Sequence, residues 1–315
     1  MPTHPLFRVR YWRDYPWPMQ LLMLFLLIFT LASFFTAIAA VTVPAVTGHS
    51  VAEAIEVSKD SPRSLINTAL LSQALSHMGL FLLPSLLFAY LSHPRPRRYL
   101  GLRAPGKPVQ WLLVIGCIAG AAPVFLGIDA LMRNLLALDE TAAQQTNDRL
   151  TEAFLFTQNS GQLLFSLFVV ALVPALGEEL FFRGVLYRFV AKRVPNIWFP
   201  VLASAAFFAA VHYNPSGLLA IFLAGILFAF FYYLTGSLLP CILAHLLYNG
   251  GQVALINYAQ SRPEMLQRLE GGGIPVGYAG VGFLLFLFCF WMLWKNRTPL
   301  PPGWASDADA APQDL

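Results

Sequence analysis

The sequence predicts an all-α fold: a polytopic membrane helical bundle of about eight transmembrane helices enclosing a buried polar site. Three observations predict it. Of the 315 residues, 57% are hydrophobic and only 11% charged, far from the balance of a soluble domain of this length. Apolar runs recur at close to the ~20 residues that a helix needs to cross a bilayer. Lysine and arginine gather on alternate loops, the bias that marks cytoplasmic connections. The formal net charge of +4 therefore reports orientation in a membrane and gives no indication of nucleic acid as a partner.

Taken in order, residues 1–16 form a basic cytoplasmic segment with Arg8, Arg10 and Arg13, followed by an apolar run over 17–44. That run is roughly twice the apolar core of a signal peptide, so it reads as a retained first span despite the small residues at 37–40. Further spans are expected at 64–91, 109–132, 162–190, 197–213, 217–234, 238–258 and 274–294. Residues 17–294 thus form one membrane domain whose motif-bearing core is 161–258, and 295–315 reads as a disordered cytoplasmic tail, proline-rich and then acidic with Asp307, Asp309 and Asp314. With the N-terminus inside, Arg95, Arg97, Arg98, Arg103 and Lys107 share one inner loop, Arg188, Lys192 and Arg193 the next, and Lys295 and Arg297 follow the last span. The outer loops carry Glu53, Glu56, Asp60, Asp139, Glu140, Asp148, Glu152, Glu264 and Glu270. Both termini are therefore expected in the cytoplasm, and the short loops suit a bacterial inner membrane. The polar loop over 133–160 is expected to form a short outer amphipathic element or an irregular cap. Cys117, Cys241 and Cys289 lie in apolar runs and read as small buried hydrophobes, while Asp129 is a lone carboxylate in the third span.

The fourth span contains the costliest feature of the chain, Gly177-Glu178-Glu179-Leu180-Phe181-Phe182-Arg183. One ionised side chain at the centre of a spanning helix costs roughly 2.5–3.5 kcal/mol on insertion scales. On a helix Glu179 and Arg183 are four apart and share a face, so they can pair; Glu178 is rotated by about 100° and is left without a local partner. The cluster therefore reads as one structural pair and one working carboxylate, a candidate general base. Pro174 removes an N–H one turn earlier and should bend the helix beside it.

Two further polar islands follow. Phe208-x-x-x-His212 and His245-x-x-x-Asn249 each place their ends one helical turn apart. A lone intramembrane histidine is as readily a packed, hydrogen-bonded residue as a working one. Two histidines, an asparagine and an unpaired glutamate on three helices together mark a site of chemistry or transport. Glu178 and His212 lie equally far, about 17 residues, from the turn at Pro195, which puts them at one depth in an antiparallel hairpin. His245 is only about nine residues from its own turn at Gly236 and fits poorly. Either the fourth helix projects into the cytosol, the favoured reading, or the fifth and sixth do not cross fully.

The ordered set Glu178-Glu179-x-x-x-Arg183, Phe208-x-x-x-His212 and His245-x-x-x-Asn249 resembles the CPBP family of intramembrane proteases, the CAAX-processing and bacteriocin-immunity type. The resemblance covers about 161–258. It implies that Glu178 with His212 activates a water, that His245 and Asn249 stabilise the oxyanion at the scissile carbonyl, and that Glu179, Arg183 and Phe208 support the site. The implied substrate is a membrane-associated peptide, lipidated or not, at the cytoplasmic side, with membrane lipids as surroundings. No cofactor is favoured. Zinc held by Glu178, His212 and His245 stays open as the alternative, although the sequence has no His-Glu-x-x-His helix and each ligand would come from a different helix. The competing classes are a proton-coupled transporter, against which stands the absence of an internal repeat, and a non-catalytic immunity or scaffold protein, which would not need the full polar set.

Overall fold

The computed structural model describes residues 11–136, 142–194, 196–270, 276–300 and 304–305. Arg8, Arg10, Asp139, Glu140, Pro195, Asp307, Asp309 and Asp314 lie outside the described residues. The principal helices are α1 (Trp17–Thr47), α2 (Arg63–Ser92), α3 (Val109–Leu136), α4 (Ala142–Leu155), α5 (Ser160–Ala191), α6 (Trp198–Ala210), α7 (Leu218–Thr235), α8 (Leu239–Ala259), α9 (Pro263–Glu270) and α10 (Val276–Lys295). Among the described residues there is no strand.

Among the described residues, seven helices are long and apolar enough to cross a membrane: α1, α2, α3, α5, α7, α8 and α10. The expected fifth span is the exception. It is a helix of 13 residues, about 20 Å at 1.5 Å per residue against ~30 Å of hydrocarbon. Its neighbour α5 has 32 residues, about 48 Å by the same rise, and exceeds the hydrocarbon thickness. Of the departures from equal spans offered by the sequence, the fourth helix is long and the fifth short, whereas the sixth, α7, is long enough to cross.

The winding of α2 and α5 is uneven in a way the prolines explain. Both helices contain wider, π-type turns, at Met78–Leu82 in α2 and at Leu167–Leu172 and Leu180–Tyr187 in α5. Pro84 and Pro174 stand just after the first two of these, where a proline has no N–H for the regular ladder. Glu178 and Glu179 occupy the regular turn between the two wide stretches of α5, and His77 immediately precedes the wide turn of α2.

Packing puts α5 at the centre, against α2, α6 and α8, while α7 fills the space between α3, α6 and α8. α1 covers α2, and α10 lies along α3. The outer helices α1 and α10 leave most of their apolar side chains facing outward, as lipid contact requires, whereas α5 and α7 are more than half buried. Small residues set the close approaches. A Cβ added at Gly120 would come within 2.6 Å of both the Gly282 carbonyl and the Phe286 nitrogen, which are backbone and cannot step aside. Gly120→Ala is therefore expected to force α3 and α10 apart at a cost of about 1–3 kcal/mol, read as a lower melting temperature in detergent.

The outer loop forms α4, whose buried Ala153 and Phe154 join Val57 and Leu70 in a small cluster apart from the main core. Asp129 is not alone: Arg133, four residues on, donates to it at 3.0 Å and reaches Asp148 at 3.3 Å. All three cysteines are buried and unbridged. The tail departs from the expected disorder over its first residues. The Thr298 N–H donates to the Leu234 carbonyl at 2.7 Å, Gln110 donates to the Asn296 carbonyl at 2.9 Å, and the Trp304 ring stacks 6.1 Å from Tyr187.

Candidate active site

Glu179 and Arg183 form the pair their spacing predicts, and both are fully buried. Arg183 Nη1 donates to Glu179 Oε1 at 2.8 Å, and Nη2 donates to the Gly225 carbonyl of α7 at 2.8 Å. The guanidinium also lies 4.6 Å from the centroid of Phe208 and 5.5 Å from that of Phe228, whose faces favour a cation. Phe208 thus packs against Arg183. Ser204 fixes α6 to α5 by donating to the Phe182 carbonyl at 3.0 Å.

The same Glu179 oxygen has a second partner that the sequence does not reveal. His245 Nδ1, from α8, donates to Glu179 Oε1 at 2.9 Å. That bond fixes the ring so that Nε2 points towards Glu178, 4.0 Å from its Oε2. His245 is thereby brought level with Glu178 despite its short distance from the turn, because α6 is short and α5 long.

His212 does not sit inside a spanning helix, as expected, but on the turn that closes α6. The local reason is a backward bond: its Nδ1 donates to the Phe208 carbonyl at 2.6 Å, the i−4 group at the open end of the helix. Its Nε2 is then left facing Glu178 Oε2 at 3.9 Å. His212 is also the most open member of the site, with 31% of its side chain exposed against 7% for Glu178 and 3% for His245, so approach is easiest from its side. The next residue, Tyr213, is the one non-glycine among the described residues with positive φ, and Asn214 then closes the turn by accepting from the Gly217 N–H at 2.9 Å.

Asn249 faces α5, where its Nδ2 donates to the Val170 carbonyl at 3.1 Å. Val170 is the residue four before Pro174, so this is the carbonyl that the proline cannot serve. The two predicted oxyanion donors are therefore each partly engaged, His245 through Nδ1 and Asn249 through one amide hydrogen. His245 Nε2 and the second Asn249 hydrogen remain for a ligand.

Glu178 is not left without a partner. His77 of α2 approaches from 101 positions away in sequence, Nε2 to Oε1, at 3.0 Å. The sequence reading passed over His77, although it is a histidine in the interior of a span, the same signal that singled out His212 and His245. Glu178 Oε2 is buried and has no hydrogen-bond partner within the protein.

The donors do not fit the zinc set of Glu178, His212 and His245 as they stand. Zinc bonded at ~2.0–2.1 Å holds tetrahedral ligand atoms about 3.4 Å apart, whereas Glu178 Oε2 is 3.9 Å and 4.0 Å from the two imidazole nitrogens. Among the described residues no three His, Cys, Asp or Glu side chains are grouped to hold a metal ion.

With this geometry in hand, comparison with known proteins gives one match. The family model for Rce1-like type II CAAX prenyl endopeptidases matches residues 160–251, the segment that runs from the start of α5 into α8 and carries all three motifs. No curated protein and no solved structure matches the chain. The seven candidate spans and that match agree: the chain is an integral membrane protein that over residues 160–251 resembles the Rce1-like family of CPBP intramembrane peptidases, whose members are hydrolases.

Proposed function

We propose that this protein is an endopeptidase that hydrolyses a peptide bond of a membrane-associated, lipidated or CAAX-like peptide by means of a water activated by Glu178 and His212, without a metal. The observation that carries the reading is the free edge of Glu178. Its Oε2 has no partner in the protein and is faced by Nε2 of both His212 and His245 at 3.9 Å and 4.0 Å. With Nδ1 of each ring committed to an acceptor, the neutral rings offer lone pairs at Nε2. Three acceptors thus converge on a space that suits a donor of two protons, and water is the natural occupant.

The chemistry follows from those protonation sites. Water adds its oxygen to the scissile carbonyl carbon while one proton passes to Glu178 or His212, and the carbonyl oxygen becomes an oxyanion. The remaining Asn249 hydrogen and, with a second proton taken up from solvent, His245 Nε2 are the groups available to stabilise it. The carbon–nitrogen bond then breaks as the held proton is returned to the leaving amine, giving a carboxylate and a free amine. Glu179 and Arg183 take no proton in this scheme; they orient His245 and lock α5 against α7. The exposure of His212 supports approach of substrate from that side. The bias of lysine and arginine towards the inner loops supports an orientation with both termini in the cytoplasm of a bacterial inner membrane.

The test is cleavage of a peptide library, including prenylated members, by the detergent-purified full chain with and without a strong chelator. Cleavage that survives the chelator is the expected result, and the products identify the substrate class. Cleavage abolished by chelator and restored by zinc would replace the metal-free reading with the metal one.

A further inference from the structure

The family match begins at residue 160, so nothing in it assigns a role to α2. That helix nevertheless supplies the shortest contact made by Glu178. We infer that His77 is the positioning residue of the Glu178 carboxylate: it holds Oε1 and so turns Oε2 towards His212 and His245. The inference rests on the peptidase reading given above.

The geometry separates the two oxygens of Glu178 by task. Oε1 receives His77 Nε2 at 3.0 Å, within hydrogen-bond range, while Oε2 stands 3.9 Å and 4.0 Å from the other two histidines, too far for a direct bond and suited to a bridging molecule. A carboxylate on a glutamate side chain has three rotatable bonds. Without a fixed partner it would sample orientations in which neither oxygen faces the two imidazoles. His77 removes that freedom.

His77 is itself held. Its Nδ1 lies 3.2 Å from the Gln73 carbonyl, one turn earlier on α2. Its ring packs 5.5 Å from Phe81, which in turn packs 5.6 Å and 5.8 Å from the rings of Phe181 and Phe182 on α5. The backbones are brought close by Gly177, where an added Cβ would come within 3.2 Å of Phe81 Cβ and 3.4 Å of the Leu82 nitrogen. A larger residue before Glu178 would press α2 away from α5 by a few tenths of an ångström.

The experiment compares His77→Phe and His77→Gln in the full-length, detergent-purified protein, with the peptide identified by the library digest. Phenylalanine keeps the ring packing and removes the bond, so kcat should fall by about 100-fold, the usual consequence of a misplaced reacting group, with KM within about twofold. Glutamine places an amide N–H close to the position of Nε2 and should recover most of that loss. Unchanged kcat in His77→Phe would overturn the assignment, as would equal losses in both variants accompanied by equal drops in melting temperature, the pattern of a purely structural residue. A double-mutant cycle in melting temperature over His77→Phe and Glu178→Leu, each of which removes the bond, reads the contact without any substrate. If the wild type cut no peptide, the peptidase reading would fall, and the cycle would still decide whether His77 holds Glu178: additive shifts would overturn the contact and non-additive shifts would support it.

Discussion

Glu178→Gln is expected to lower kcat by about 1,000-fold, within the range that general acid–base groups contribute, while the protein keeps its fold. The substitution is nearly isosteric. The amide oxygen can still accept from His77 at the Oε1 position, and the amide nitrogen at the Oε2 position faces two imidazole nitrogens able to accept from it. What disappears is the proton acceptor, along with its negative charge. Initial rates at saturating peptide, measured beside melting curves of the same preparations, separate loss of chemistry from loss of fold. Because Glu178 and His212 handle one proton between them, His212→Ala added to Glu178→Gln should cost little more than the glutamate change alone. Wild-type kcat in Glu178→Gln would remove Glu178 from the mechanism and with it the argument from its free edge.

Arg183→Met should have the largest effect on stability of any single change in the bundle. Arg183 is completely buried, and it satisfies Glu179 Oε1 and the Gly225 carbonyl at once. Methionine fills much of the same volume but leaves a carboxylate in an apolar core with only His245 to balance it. Breaking a buried pair by removing one partner typically costs about 3–5 kcal/mol. For a chain of this size a loss of that order lowers the melting temperature by roughly 5–8 °C. Activity should fall as well, since Glu179 orients the His245 ring. Adding Glu179→Gln removes the orphaned charge, so the double variant Arg183→Met with Glu179→Gln should melt higher than Arg183→Met alone. If the second change lowers the melting temperature further by its own full amount, the pair is not coupled and the account of it is wrong.

The amino-acid sequence alone determined what can be read within one helix. Composition and run length specify a membrane bundle, and a four-residue spacing specifies which side chains share a face, so the Glu179–Arg183 pair, the His245–Asn249 face and the proximity of Phe208 to His212 were all legible. Those relations depend on local helical geometry, which a sequence encodes directly. Relations between helices depend on lengths, tilts and close approaches that it encodes only collectively. Hence α6 is too short to be a full span, His212 lies on its closing turn, and His245 is turned by Glu179 rather than standing free. The carbonyl that Pro174 leaves unserved was foreseen, but not that Asn249 would take it. His77 shows the limit most clearly. It lies 101 residues before Glu178, and only the packing of α2 on α5, permitted by a glycine at 177, brings its nitrogen within 3.0 Å of the carboxylate. The sequence supplied every polar group of the site, and the tertiary structure decided which of them is bonded to which, because a hydrogen bond across a bundle is a property of where two helices meet.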